Sequence, residues 1–587
     1  MCGIFAYLGK KKNAADLVVD GLKKLEYRGY DSWGIAYHDK KNISIHKQVG
    51  KISVFKGKNF PESSIAVGHS RWATHGGVTK ENSHPQSSEE NDVIVVHNGI
   101  IENFQELKKE LKEEGHVFTS ETDTEVIPHL IERYMKWGSE TAIKKALARL
   151  EGRFAVLVLI QGESKIYAAR RGSPLIIGIG KEEIFIASDV PAFLSETRNV
   201  SYIDDDEMVI VENNKAEFQN FITGKPVKKR VITINWESKS SDKGDFAHFM
   251  IKEIFDQKDT LYRAIDQDSK KILAVADAIK KARGTFLLGC GTAGKVCQAG
   301  EYFLSTIAHR HVNFVPASEF PVYHHFLKDE TLLIAVTQSG ETADLMEAIE
   351  VGKKKGCQIL SLVNVEGSSV QRASDFSFLI NAGPEKAVAS TKAATSQLSL
   401  LLLIAYAVAG NLNEGKRVLL ESASKANEML NPRYLEHIHK LAKKIAKQEN
   451  IYIIGRAANF PMALEAAIKI QEVSYIHAEG FAGGELKHGP IALISKDVPV
   501  IAISSNDEVK GDLISNAIEV KSRGAFVIGV GPENNEAFDY WLKVPDTDTA
   551  QPILNLIPIQ ILAYFLAIER GLNPDMPRNL AKSVTVK

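Results

Sequence analysis

The chain has 587 residues, about four times the ~150 of a typical single domain, so two to four domains are expected. Hydrophobic residues make up 44% and charged residues 25%, the balance of a globular protein. The 72 Lys+Arg against 73 Asp+Glu exclude a polybasic nucleic-acid binder as the default and give no attraction to anionic membranes. The four cysteines, Cys2, Cys290, Cys297 and Cys357, form no paired framework. The last three read as buried small hydrophobes in a reducing cytosol. The opening MCGIFAYLGKKK puts its apolar stretch before the lysines, the reverse of a signal peptide. The apolar run 400–409 is too short to span a bilayer, and 552–568 is interrupted by Asn555, Pro558 and Gln560. A soluble, cytoplasmic protein with neither nucleic-acid nor membrane partners is expected.

In chain order, the first ~235 residues are β-rich. Apolar runs at 65–68, 93–96, 154–160, 184–187 and 208–211 are separated by Gly, Asn and Asp turns. Helical patterns interrupt at 13–25 and 124–135. Such a mixture predicts stacked sheets with helices outside, an α+β layering. The polar, turn-rich segment 236–245 (WESKSSDKGD) reads as part of a linker. Strand candidates then alternate with helices at 285–288, 332–336, 358–363, 451–454, 498–503 and 526–530, the βαβ pattern of parallel sheets. This half contains an internal repeat. Thr285–Gly289 aligns with Ile451–Gly455, Leu333–Thr337 with Val500–Ser504, and Lys355-Gly356 with Arg523-Gly524, at offsets of 166, 167 and 168 residues. The expected division is an N-terminal domain 1–236, a linker 237–265, α/β domains at 266–425 and 426–572, and a C-terminal tail 573–587.

Several motifs carry chemistry. Cys2 is small enough for Met1 to be trimmed from in front of it, which would leave a free α-amine beside a thiol. Such an amine has a pKa of about 7.7–8.0. It is a suitable base for its own nucleophile. The segments Cys2-Gly3-Ile4, Glu26-Tyr-Arg-Gly-Tyr-Asp-Ser32, Gly68-His-Ser-Arg-Trp-Ala-Thr-His-Gly76, Val96-His-Asn-Gly-Ile-Ile-Glu-Asn103 and Ser120-Glu-Thr-Asp-Thr-Glu125 together resemble the N-terminal-nucleophile (Ntn) glutaminase domain of class II amidotransferases. The resemblance spans residues 1–235. It implies that Cys2 attacks the glutamine amide while Asn98 and the Gly99 N–H form the oxyanion hole. It implies that Arg71 takes the glutamine α-carboxylate and Asp123 its ammonium. Trp72, Thr74, His75 and His84 would line the pocket, with Trp72 gating the ammonia path. Asp123 also reads as a helix N-cap in SETDTE.

In the second half, TQSGET (337–342) follows a strand and opens a helix, which makes it an anion-binding helix N-terminus. Together with Val388-Ala-Ser-Thr-Lys392 it resembles the sugar isomerase (SIS) fold of glucosamine-6-phosphate synthases. By that resemblance Thr292, Thr337, Gln338, Ser339, Thr342 and Ser390 hold the phosphate and sugar hydroxyls. Glu465, Lys469 and Glu472 recur at i, i+4 and i+7, within about 40° of one direction over roughly 10 Å of helix. The rest of that helix is apolar nearly all round, so the charged stripe should line a cavity. The segment Glu485-Leu-Lys-His-Gly-Pro490 and the tail 577–586 resemble the same family. They imply that Lys582 forms a Schiff base at the ketose C2, that His488 assists ring opening, and that Glu472 moves a proton between C1 and C2, helped by Lys469. No cofactor and no metal is implied, because the iminium itself acidifies the C1 proton.

The whole chain therefore resembles the glucosamine-6-phosphate synthase family. The expected substrates are glutamine and fructose 6-phosphate, the product glucosamine 6-phosphate, and the expected assembly a homodimer. Ala293, Thr337, the loop 321–328 and Lys386 depart from the common pattern. A glutamine-dependent or deglycating enzyme acting on another phosphosugar is one alternative, though pure deglycation would not need Cys2 with Arg71, Asn98 and Asp123. A non-enzymatic sugar-phosphate sensor would need neither Cys2 nor Lys582.

Overall fold

The computed structural model describes residues 2–39, 42–57, 60–234 and 243–585. They form two compact units, one of residues 1–239 with 581–587 and one of 240–580.

The first unit has an eight-stranded and a seven-stranded sheet among the described residues, and strand pairing in both is antiparallel. Strand Gly3–Gly9 shows how the sequence specifies the layers. Ile4, Ala6 and Leu8 face a core shared by the two sheets. Phe5 and Tyr7 face the other way, against helix Ala14–Lys24. This period of two is what a strand buried on both faces requires. The second sheet carries helices Phe104–Glu113, Val126–Tyr134 and Ser139–Arg149 on its outer face. The observed order is helix, sheet, sheet, helix, the expected α+β layering. Strands Ser32–Asp39 and Asn42–Val49 were not foreseen, because polar residues interrupt their apolar pattern. Asp204–Asp206 forms a turn between strands, and Arg170 and Arg171 pair with Asp205 and Asp206.

The second unit holds two five-stranded parallel sheets. In each, the strands run in the order second, first, third, fourth, fifth along the sheet. The repeat read from the sequence is therefore a repeat of topology. The first strands, Gly284–Gly289 and Asn450–Gly455, both end in a glycine where the chain turns back under a helix. A Cβ at Gly289 would lie 2.7 Å from the Ala293 carbonyl carbon, and one at Gly455 2.1 Å from the Asn459 oxygen. Edge strands Asn313–Pro316, Phe376–Leu379, His477–Ala482 and Tyr540–Lys543 were missed, being short and half-buried.

Two expectations need correction. Much of the expected linker 237–265 is helix Phe249–Ile265, whose Met250, Ile254 and Leu261 are buried in the core. Its first N–H groups, on Phe249 and Met250, both donate to the Asp575 carboxylate at 2.8 Å. Residues 235–242 of that segment lie outside the described residues. The run 552–568 is also not interrupted: helix Gln551–Glu569 passes through Pro558. It is the one helix among the described residues long and apolar enough to cross a membrane, yet 89% of its apolar window is buried in the protein. Its polar residues are satisfied there. Asn555 donates to Asn459 and to the Ser504 carbonyl at 3.0 Å, and Gln560 accepts from Gln257 at 2.8 Å.

Helix Lys392–Val408 is buried along its whole length. Leu402→Ala should lower the unfolding free energy by about 2–5 kcal/mol, since the cavity cannot collapse in close-packed surroundings. Urea denaturation followed by circular dichroism checks this, and a loss below about 1 kcal/mol would contradict it.

Candidate active sites

In the first unit, Cys2 stands just before the central strand, which pairs with Ile65–Arg71 on one side and Glu183–Ala187 on the other. Its thiol lies against the backbone of Trp72. The Trp72 N–H donates to Sγ at 3.3 Å, and Sγ donates to the Trp72 carbonyl at 3.4 Å. Burial pushes the thiol pKa up, and the Trp72 N–H and the nearby Arg71 charge oppose that rise.

Asn98 and Gly99 sit on strand Val93–Ile101. The Asn98 amide donates to the Cys2 carbonyl at 3.1 Å and to the Ser188 hydroxyl at 2.9 Å. Ser188 in turn accepts from the Ile4 N–H at 2.7 Å, which fixes the start of the nucleophile's strand. Gly99 has φ +125°, and a Cβ there would lie 1.9 Å from the Arg153 carbonyl oxygen. No other residue fits this close approach.

Arg71 is buried and points into the turn that follows it. It donates to the carbonyls of His75, Gly76 and Gly77 at 2.5, 3.2 and 3.0 Å. Asp123 is buried and accepts the Ile101 N–H at 2.8 Å. The helix that follows starts at Val126 with Glu125 as its cap residue, so Asp123 braces the Asn98 strand and is not the N-cap. Thr74 is exposed, and His75 is half-buried with its ring edge-on to Phe104.

His84 lies under the site in a stack with His69 and His97, at centroid separations of 4.1 and 6.4 Å. Burial pulls all three pKa values down, His69 to about 3. The neutral rings then have assignable protons. His84 Nδ1 accepts the His97 N–H, so its Nε2 donates to Thr124 Oγ1 at 3.2 Å. His97 Nδ1 lies 2.9 Å from the same hydroxyl. His84 thus ties the Asn98 strand to the Asp123 segment. His69 and His97 were not singled out from the sequence, although both stand in the quoted motifs.

In the second unit, the strand order reverses between Gly284–Gly289 and Thr331–Val336. Open α/β sheets bind ligands outside the carboxyl ends of strands at such a switch point. Thr292 follows the first of these strands and Thr337–Thr342 the second. In the latter turn, Thr337 and Thr342 share a hydroxyl contact at 3.2 Å, Gly340 N–H donates to Thr337, and Glu341 N–H donates to Ser339. Gln338, Ser339 and Thr342 are half-buried at the start of helix Ala343–Lys354. Ser390 donates to Glu385 at 3.1 Å. The same carboxylate accepts from the Thr391 and Ala393 N–H groups and so holds the 385–393 turn. An acid ahead of a helix start is a legible signal that the sequence reading passed over.

The charged stripe lies on helix Asn459–Ser474. Lys469 is 1% exposed, with Nζ 2.5 Å from Glu472 and 3.5 Å from Glu465. Burial alone would pull the ammonium down, but the two carboxylates outweigh it and raise the group to about 12. Glu465 is fully buried and accepts from Thr292 at 3.1 Å. Because Lys469 serves Glu472 more closely, desolvation dominates at Glu465 and raises it to about 7. The helix therefore presents an ion pair next to a carboxyl that titrates near neutrality, all linked through Thr292 to the switch point. His488 is exposed at the end of the 3₁₀ segment Gly483–His488. Lys582 is half-buried and groups with the first unit, whereas the other sugar-site candidates belong to the second. Cys297 and Cys357 are buried as expected, and Cys290 is half-buried.

The raised Glu465 pKa has a measurable consequence. Between the ordinary carboxyl pKa and about 7 the folded chain keeps a proton that the unfolded chain has lost. This contribution is full below the unfolded value and is lost as pH rises. Glu465→Gln, which cannot ionise, should gain stability relative to the parent between pH 5 and 8. Urea midpoints across that range test this, and a difference that is flat or falls with pH would contradict the assignment.

Known protein families match both units. The glutamine amidotransferase domain family matches residues 54–223, and the SIS domain family matches residues 278–407 and 444–570. The glutamine–fructose-6-phosphate aminotransferase [isomerizing] of Pyrococcus horikoshii is 42% identical over 100% of both chains. That of Aquifex aeolicus is 41% identical, again over 100% of both. Among solved structures, the C-terminal domain of glucosamine-fructose-6-phosphate aminotransferase from Francisella tularensis covers 57% of this chain and 100% of its own, at TM-score 0.52 and 30% identity. The chain belongs to the glutamine–fructose-6-phosphate aminotransferase (isomerizing) family.

Proposed function

We propose that this chain releases ammonia from glutamine at Cys2 and uses it to convert fructose 6-phosphate to glucosamine 6-phosphate. The observation that carries the reading is the linkage of Thr292, at the switch point, to Glu465, Lys469 and Glu472. Relatives of that name match over the full length and support it.

Removal of Met1 gives Cys2 its own amine as base, and the thiolate attacks the glutamine side-chain carbonyl. The oxyanion takes hydrogen bonds from the Asn98 amide and the Gly99 N–H. Both Asn98 protons are engaged here, so the amide exchanges one partner for the oxyanion. Collapse expels ammonia and leaves a glutamyl thioester, which water clears. Arg71 and Asp123 take the carboxylate and ammonium of glutamine, within a pocket edged by Trp72, Thr74 and His75 and braced by His84. Ammonia passes internally, because in bulk water it would be protonated and no longer nucleophilic.

In the second unit, Thr292, Thr337, Gln338, Ser339, Thr342 and Ser390 hold the phosphate and hydroxyls. His488 assists ring opening. The Lys582 amine condenses with the C2 carbonyl and releases water; ammonia then displaces the lysine. Glu472 carries the C1 proton to C2, with the Lys469 ammonium 2.5 Å from its carboxylate. We take the enzyme to be a cytoplasmic homodimer in which a second copy completes the sugar site. The exposed position of His488 and the family resemblance support this assembly.

The test is formation of glucosamine 6-phosphate from glutamine and fructose 6-phosphate by protein lacking Met1. Cys2→Ala should cut glutamine-dependent product at least about 100-fold and leave isomerisation of fructose 6-phosphate intact. Glutamine-dependent synthesis that survives in the variant would overturn the assignment of Cys2.

A further inference from the structure

We propose that Glu89, His116 and His129 form a binding site for a zinc-class divalent cation in the first unit, with a structural role that the chemistry above does not require. The three residues come from separate elements. Glu89 lies in the turn between strands Gln86–Ser87 and Val93–Ile101, His116 follows helix Phe104–Glu113, and His129 is on helix Val126–Tyr134. One ligand atom from each lies within 4.8 Å of the other two.

The surroundings explain why a cation belongs there. His129 is 1% exposed, yet neither ring nitrogen has a hydrogen-bond partner among the described residues. Its nearest carboxylate oxygens are Glu132 Oε2, 3.5 Å from Nδ1, and Glu125 Oε1, 3.9 Å from Nε2. Glu132 Oε2 is also 3.5 Å from His116 Nδ1, and it too is buried without a hydrogen bond. Buried polar atoms left unpaired in this way destabilise the fold. A cation held by the two rings and Glu89 satisfies them. Glu132 then stands where an orienting carboxylate beside ligating imidazoles is expected.

Two imidazoles and a carboxylate favour zinc over calcium or magnesium, which prefer all-oxygen sets. Around tetrahedral zinc, with bonds of 2.0–2.1 Å, ligand atoms stand roughly 3.4 Å apart. From separations of up to 4.8 Å the cluster must contract by up to about 1.4 Å. Glu89 is exposed in its turn and His116 half-buried in its loop, so both can follow. The two segments already touch through the Val117 N–H, which donates to Glu89 Oε1 at 2.6 Å. A bound cation would clamp the turn that leads into the Asn98 strand to the helix that follows Asp123.

The experiment uses the full chain, loaded with Zn²⁺ and freed of excess, with zinc measured by mass spectrometry and affinity by competition with a fluorescent chelator. The expected result is one zinc per chain, a thermal midpoint raised by several degrees, and a Co²⁺ form with the visible bands of a tetrahedral site. His116→Ala and Glu89→Gln, at positions that are not buried, should weaken binding at least about tenfold. Cys2→Ala should retain zinc, which separates this site from capture by the thiol. Substoichiometric zinc in the parent chain would overturn the proposal and leave the histidines as partners of Glu125 and Glu132 alone. Zinc that is unaffected by both variants, or lost with Cys2, would overturn it equally.

Discussion

A lysine ammonium cannot be kept charged inside a protein unless negative groups are brought to it, and Lys469 has two. That requirement organises the second unit. The helix must be buried to pack between its sheet and the apolar helix Gln551–Glu569, so Glu465 and Lys469 on its polar face cannot reach bulk water, while Glu472 at the end of the stripe stays partly exposed. The carboxylates must then sit on the same face one turn either side of the lysine. Once they do, Glu465 has more desolvation than compensation and holds its proton towards neutrality. Thr292 satisfies that carboxyl and ties the stripe to the turn after the first strand. A cluster of this kind is costly as pure structure and useful for moving a proton between adjacent carbons.

The first unit meets a different constraint. Its nucleophile precedes a strand that is buried on both faces, so Cys2 is positioned through its own backbone and from the segments around it. Asn98, Ser188 and the Trp72 backbone supply those contacts. Gly99 permits the Asn98 strand to approach Arg153 closely enough for this. In the neutral histidine stack below, His84 is tied to the His97 backbone and to the Thr124 hydroxyl.

Much of this was legible in the residues. Short apolar runs between turns located many of the strands, and the repeat offsets anticipated a duplicated α/β unit, which the two sheets of identical strand order match. The stripe spacing on an apolar helix pointed to buried charge before any coordinates did. What escaped did so for physical reasons. Edge strands such as Tyr540–Lys543 are too short and too polar to show a period. Helix Phe249–Ile265 was hidden by the polar run before it, although its own pattern is amphipathic. Asp123 looked like a helix cap, yet its carboxylate reaches across to Ile101, a long-range contact that local spacing does not encode.

The central claim is that the buried stripe exists to move a proton on a sugar phosphate. The direct measurement is deuterium uptake at C1 of fructose 6-phosphate in D₂O, followed by NMR, for the parent and for Glu472→Gln. The account predicts steady exchange in the parent and a loss of at least about 100-fold in the variant, with its fold intact by circular dichroism. Exchange at the parent rate in Glu472→Gln would contradict it and leave the stripe as structure alone.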